Sequence, residues 1–257
     1  MAGGSKTPSE GAKPVGPLRL HGVAVSYGAS LALRDVTADI SPGTVVGLIG
    51  PNGSGKSTLL KAIAGVLRLT DGSIRLGDTA IGDRASQIAF VPQREEVNWE
   101  FPVTARDVVM MGRYRAKGWL RWPGAEDRRM AEAALERLGL AGMGDRHISQ
   151  FSGGQQQRVF LARAMVQDPL VVLLDEPFSG VDVTNREVFH DAIREFAQRG
   201  IIVMIATHEL SEVRETTSSV MCLNRRMVAF GPTASTYTAE NLRATFGGQV
   251  AVFEGAQ

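Results

Sequence analysis

Gly50-Pro51-Asn52-Gly53-Ser54-Gly55-Lys56-Ser57 decides the fold of this chain. It fits G-x-x-x-x-G-K-[ST], with an apolar run at 45–49 before it and a helix-forming run at 57–64 after it, closed by Gly65. Strand, loop and helix in that order are the setting a phosphate-binding loop requires. Glycines let the backbone wrap tightly, so that successive N–H groups point inward at an anion. The helix dipole beginning at Ser57 adds partial positive charge at the same place. Lys56 supplies a mobile full charge for the β- and γ-phosphates of a nucleotide, and the Ser57 hydroxyl is a ligand for Mg²⁺. The bland alternative is an ordinary glycine-rich turn between a strand and a helix.

A matching acidic element lies downstream in Val171-Val172-Leu173-Leu174-Asp175-Glu176-Pro177, an apolar strand ending in two carboxylates. In open α/β sheets, ligands sit at the carboxyl ends of the strands. Asp175 is placed to hold Mg²⁺, directly or through water, and Glu176 to polarise an attacking water as general base. Taken alone, the pair reads equally well as a solvated acidic turn. Beside the Lys56 loop, the catalytic reading prevails.

Outward from these two landmarks the chain alternates. Residues 18–25 and 31–40 read as strands around the Tyr27-Gly28-Ala29 turn, and short strands follow near 73–76 and 87–91. After Pro92 the pattern turns helical at 104–112 and 126–139, where Met130, Ala134 and Leu138 recur at i, i+4, i+8 and are expected to share a buried face. Strand-like runs return at 170–174, 201–206, 219–223 and 227–230. The order predicts an α/β core interrupted by a helical insertion from about 97 to 165. Residues 1–17 are expected to be a disordered tail, 18–235 the folded domain and 236–257 a C-terminal extension.

Composition narrows the function. The chain has 257 residues, enough for one large α/β domain or a domain with a subdomain. Its 28 Lys+Arg and 27 Asp+Glu leave a net charge of +1, so no global field draws it to nucleic acid or anionic lipid. At 44% hydrophobic and 21% charged it is neither disordered nor membrane-spanning, and any membrane role is expected to come through a partner. Cys222, the single cysteine, excludes an internal disulfide and cysteine-cluster metal sites; His21, His147 and His190 lack metal-ligand spacing. Residues 1–17 contain no apolar core for a secretory signal, and Ala2 breaks the myristoylation pattern. Arg113-Tyr114-Arg115-Ala116-Lys117-Gly118-Trp119-Leu120-Arg121-Trp122 interleaves bases with aromatics; it reads as a solvated interhelical loop or, less plainly, as a nucleic-acid or lipid contact.

Phe151-Ser152-Gly153-Gly154-Gln155 sets the chain apart from other phosphate-loop proteins. It resembles the signature of the ATP-binding cassette (ABC) ATPases, and the family's other motifs follow in order. The resemblance covers residues 18 to about 230. It implies a P-loop NTPase core of ABC type, with an antiparallel β subdomain and an inserted helical subdomain. It implies ATP binding by residues Gly50 to Ser57 with Thr58, stacking of adenine on Tyr27, and Gln93 joining the core to the helices at the Mg²⁺ site. Ser179-Gly180-Val181-Asp182 is similar to the loop that crosses to a partner subunit, and His208 to the switch histidine. Two departures stand out: Phe151 where Leu is usual, and Glu209 after the histidine where Asp is common.

The signature has its own physical sense. Ser152 is an N-cap type of residue and Gly153-Gly154 start a helix, so N–H groups and a hydroxyl are available to an anion. Lys56 already provides one complete cradle. By the resemblance, the second, with Gln155, serves the nucleotide of a facing copy, so that two ATP molecules are sandwiched in a head-to-tail homodimer. Val91-Pro92-Gln93-Arg94, Phe101-Pro102-Val103-Thr104 with Asp107-Val108-Val109-Met110-Met111-Gly112-Arg113-Tyr114, and Phe178-Ser179-Gly180-Val181-Asp182 resemble ATPases of manganese, zinc and iron importers in particular. That implies membrane permease subunits, an extracytoplasmic binding protein, and a place on the cytoplasmic face of the membrane. A lone-cassette ATPase serving an iron–sulfur scaffold is the alternative. Trp99 and Phe101 fall where the resemblance puts the groove for a permease helix, although core packing explains either aromatic nearly as well.

Overall fold

The apolar runs become the inner strands of a parallel sheet in the computed structural model, which describes residues 16–117, 124–179 and 183–247. The elements in chain order are β1 (Leu18–Tyr27), β2 (Ser30–Ile40), β3 (Val45–Ile49), α1 (Lys56–Ile63), β4 (Asp71–Leu76), β5 (Thr79–Ala80), β6 (Ile88–Val91), α2 (Ala105–Lys117), α3 (Ala125–Arg137) and α4 (Gly153–Gln167). They continue with β7 (Val171–Asp175), α5 (Val183–Gln198), β8 (Ile202–Ala206), α6 (Leu210–Thr216), β9 (Ser219–Leu223), β10 (Met227–Pro232), α7 (Thr233–Thr236) and α8 (Ala239–Phe246). One sheet has the order β10-β9-β3-β8-β7-β6, parallel except for the β10 edge; the other, β2-β1-β4-β5, is antiparallel.

Both faces of the parallel sheet are covered, which is why its strands are continuous apolar runs and not alternating ones. Val172, Leu174, Val203 and Ile205 pack with the helices α2 to α5. Val171, Leu173, Ile202 and Met204 face the other way, onto Leu59 and Ile63 of α1 and onto Leu18, Val25 and Ile40 of the antiparallel sheet. Register then sets the site. Leu174 pairs with Ile205, Asp175 with Ala206, Leu48 with Ala206, and Val91 with Leu174. The carboxyl ends of β3, β8, β7 and β6 therefore emerge on one edge, each followed by a residue of the site.

The helices between β6 and β7 pack through Val109, Ala131, Leu135, Val159 and Leu161, in a core continuous with Val172, Leu174, Val203 and Ile205 of the parallel sheet. The start of α2 is fixed by a reciprocal cap: Thr104 N–H and Oγ1 donate to Asp107 at 3.0 and 2.6 Å, and Asp107 N–H donates back at 3.2 Å. These hydrogen bonds hold the Asp107 carboxyl below the usual carboxylate range. The face expected for α3 needs correction. Ala134 and Leu138 are buried, but Met130 is exposed, and the buried stripe continues through Ala131 and Asp127. Asp127 escapes a polarity-based reading because Arg113 pairs with it at 2.8 Å. This ion pair also commits Arg113 to structure; residues 118–122 of the basic–aromatic stretch lie outside the described residues, as do 1–15 of the expected tail, Gly180-Val181-Asp182, and 248–257. Helix α8 packs Leu242 on Ile49 and Val220, so the segment after 235 contributes to the fold.

Candidate active site

Residues 50–57 form a loop whose carbonyls are already engaged. Lys56 Nζ donates to the Gly50 and Pro51 carbonyls at 2.7 and 3.2 Å, Ser54 N–H donates to Pro51 at 3.1 Å, and Arg225 N–H donates to the Ser54 carbonyl at 2.8 Å. Backbone N–H groups of a glycine-rich turn that opens a helix are the polarity an anion needs. Gly55 has φ +99°, and a Cβ there would collide with the Leu33 side chain; at Gly50 a Cβ would meet the Leu223 carbonyl. Side chains are excluded at both positions by space as well as by conformation.

The loop opens on a cavity of about 530 Å³ lined by Asn52, Gly53, Ser54, Gly55, Lys56, Ser57, Thr58, Gln93, Glu176 and His208. Residues from four separate strand ends thus meet in one place. Ser57 Oγ donates to Asp175 Oδ1 at 3.0 Å, while Asp175 Oδ2 is buried with no hydrogen-bond partner among the described residues. Burial pushes the Asp175 carboxyl up, opposed by the Ser57 hydrogen bond, with Glu96 and Glu176 adding to the rise. Burial also holds the Lys56 ammonium below its ordinary value, against the attraction of Glu176 and Asp175. A hydroxyl and an unsatisfied carboxylate oxygen side by side fit a hard divalent cation such as Mg²⁺.

Glu176 sits at the focus. Gln93 Nε2 donates to its Oε2 at 3.2 Å, and His208 Nδ1 lies 3.5 Å from its Oε1. Its backbone is in the left-handed region, φ +50°, held by Glu176 N–H donating to the Ala206 carbonyl at 2.9 Å. A non-glycine residue held there costs on the order of 1 kcal/mol or more and persists only when its surroundings insist on it. Pro51 belongs to the loop but does not line the cavity. Tyr27, half exposed, stands beside it with its hydroxyl 3.5 Å from Thr58 Oγ1.

Ser152, Gly153, Gly154 and Gln155 are absent from the cavity lining among the described residues. They start α4 instead, where Ser152 N–H donates to Gln155 Oε1 at 2.9 Å and Gln155 N–H donates to Ser152 Oγ at 3.4 Å. The Ser152 hydroxyl, expected to face an anion, is here the cap of its own helix. Arg94, next to Gln93, lies against Gly153 and donates to Gln156 Oε1 at 3.1 Å. Phe151 is buried beneath the Arg146 guanidinium, so the departure from Leu is a packing matter.

The structure also divides the two aromatics that follow Gln93. Trp99 packs edge-on against Phe160 at 5.1 Å and donates its indole N–H to the Arg94 carbonyl at 2.8 Å; Phe101 is exposed. Sequence reading gives no role to Arg94, Arg186 or Glu212 and takes His190 for a packing or surface residue; all four prove to be tied to the site's surroundings. The available signal for the last three was spacing: Arg186 and His190 at i, i+4, facing Glu209 and Glu212 at i, i+3.

This site, on this fold, is that of an ATP-binding cassette, and the chain belongs to the ABC transporter family, whose family model matches residues 33–179. It is 46% identical over 234 residues to the manganese transport system ATP-binding protein MntA of Synechocystis sp., covering 90% of each chain. It is 40% identical to the zinc transport system ATP-binding protein TroB of Treponema pallidum, covering 91% of this chain and 88% of that one. Among solved structures, an ABC transporter of metal-chelate type in an inward-facing conformation superposes with TM-score 0.77 at 29% identity, over 91% of this chain and 89% of that one. A dimeric ATP-binding cassette in a post-hydrolysis state with ADP and Pi superposes with TM-score 0.75 at 25% identity, over 84% and 98%. Among the described residues no helix is long and apolar enough to cross a membrane.

Proposed function

We propose that this chain is the ATP-hydrolysing subunit of a transition-metal importer, working as a homodimer beneath two membrane permease subunits on the cytoplasmic face and supplied by an extracytoplasmic binding protein. Its relatives' names support the cargo class: manganese and zinc transport systems, and a chelated iron system in Yersinia pestis at 41% identity. Those names favour transport over the iron–sulfur scaffold reading. The observation that carries the dimer is the separation of the two cradles: the cavity of Lys56 excludes the capped helix start at Ser152. A second copy, placed head to tail, would bring Ser152 to the γ-phosphate held by Lys56.

In the chemistry we propose, Lys56 leaves the Gly50 and Pro51 carbonyls for the β- and γ-phosphates. Ser57 and Asp175, with Gln93, would hold Mg²⁺, and the ion would supply neutralisation of charge on the phosphate oxygens. Glu176 takes the proton of the attacking water, and His208 contacts the γ-phosphate. Tyr27 orients the adenine by stacking. Residues 97–165 form the helical subdomain, and the exposed Phe101 supplies a permease contact. Purification of the full chain from native membranes tests the reading: an integral partner is expected, and the reconstituted complex should take up a divalent transition metal with ATP but not with the Glu176→Gln variant. A purely soluble partner would favour the scaffold alternative.

A further inference from the structure

Beyond the cavity, a four-residue charged cluster joins α5 to the segment that carries His208. Arg186 Nη1 donates to Glu209 Oε2 at 2.5 Å and to Glu212 Oε1 at 2.6 Å, and its Nη2 reaches Glu209 Oε1 at 3.3 Å. His190, one turn along α5, meets Glu212 Oε2 at 2.8 Å, and its ring packs edge-on against Phe178. Glu212 is only 9% exposed, and the other members are largely covered.

His208 itself is held loosely. Its side chain is 55% exposed, and its contact with Glu176 is 3.5 Å long. Its place therefore depends on the backbone on either side. Before it, Thr207 is buried, and Thr207 N–H donates to the Leu48 carbonyl at 3.2 Å. After it, Glu209 occupies the N-cap position of α6 without a side-chain cap bond, because its carboxylate is engaged by Arg186.

We propose that Arg186 is a positioning residue for hydrolysis: through its two-point grip on Glu209 it holds His208 at the γ-phosphate side of Glu176. The inference rests on the assignment of His208 and Glu176 to the reaction. A planar guanidinium shared by two covered carboxylates fixes direction as well as distance. Its loss leaves the Glu209 carboxylate without its cation, with Glu209 N–H still donating to Thr207 Oγ1 at 3.0 Å, so His208 is held less firmly.

The test is steady-state and single-turnover hydrolysis by the full chain. Arg186→Ala should lower kcat by ~10–100-fold, the usual effect of losing a group that orients a functional one, while KM for ATP stays within about twofold. Arg186→Lys, which retains one charged bond, should recover most of the rate. In a His208→Ala background, Arg186→Ala should change the residual rate by less than about twofold, since both substitutions remove the same function. Equal losses in both backgrounds, or a rise in KM matching the fall in rate, would overturn the proposal. If Arg186→Ala does not fold, Glu209→Gln keeps the shape of the pair and carries the same cycle. Normal turnover by His208→Ala alone would instead remove the site assignment, and that result is read with Arg186 intact.

Discussion

Two helix starts in this chain present the same device, and only one is complete. At α1 the turn is backed by Lys56, faced by Asp175 and Glu176, and sunk in the edge of the parallel sheet. At α4 the turn has Ser152 and two glycines, but it stands among the inserted helices with no lysine of its own and with Arg94 against Gly153. The free N–H groups of a helix start bind an anion weakly and without chemistry. Adding a buried cation, a metal-binding carboxylate and a base makes a reaction site. In the dimer proposed above, the α4 turn completes a site built elsewhere, and ATP is the piece common to both.

The comparison breaks most sharply at Glu176. Glu176→Gln should slow hydrolysis by ~10²–10⁴-fold, the usual contribution of a general base, with ATP affinity retained and an ATP-dependent dimer accumulating in size-exclusion chromatography. Near-normal turnover would remove the base from the α1 site. Next in size, Ser152→Arg should cut hydrolysis by about 100-fold, as for one lost donor at a developing charge, while ATP binding by the isolated chain is unchanged. Loss of monomer affinity in titration calorimetry would mean that the α4 turn serves its own chain's nucleotide.

The aromatic pair sharpens the contrast between inserted helices and sheet edge. Phe101→Ala should weaken permease binding by about 2 kcal/mol, as for an interface anchor, and leave ATPase activity of the free chain intact. Trp99→Ala, by contrast, should lower the melting temperature, because its indole packs on Phe160. The smallest effect belongs to the cap of α2. Asp107→Ala should cost about 1 kcal/mol near neutral pH. Hydrogen bonds depress the Asp107 pKa in the folded state, so this stabilisation is present above its unfolded value and is lost as pH falls through the folded one. Thermal melts of the two proteins should therefore converge in acid.

The strands around the site were legible because burial on both faces writes itself as consecutive apolar residues at 45–49, 171–174 and 202–206. Met130 was misjudged because its i, i+4 partners share its spacing, and only the rotation of α3 against α4 decides which edge of the stripe is covered. Asp127 was missed for the complementary reason: a charge is buried when a partner such as Arg113 arrives from another helix.

What the sequence determined by itself is the chemistry held in consecutive residues. The turn at Gly50 to Ser57, the carboxylates ending β7 and the helix start at Ser152 take their geometry from their immediate neighbours, through glycine freedom, strand ends and caps. The tertiary structure alone decided how those pieces face one another. Gln93 reaches Glu176 across 83 positions, Ser57 reaches Asp175 across 118, and Arg186 finds Glu209 across 23. Those distances follow from strand register and helix rotation, which are set by packing in the whole core and not by any local run of residues.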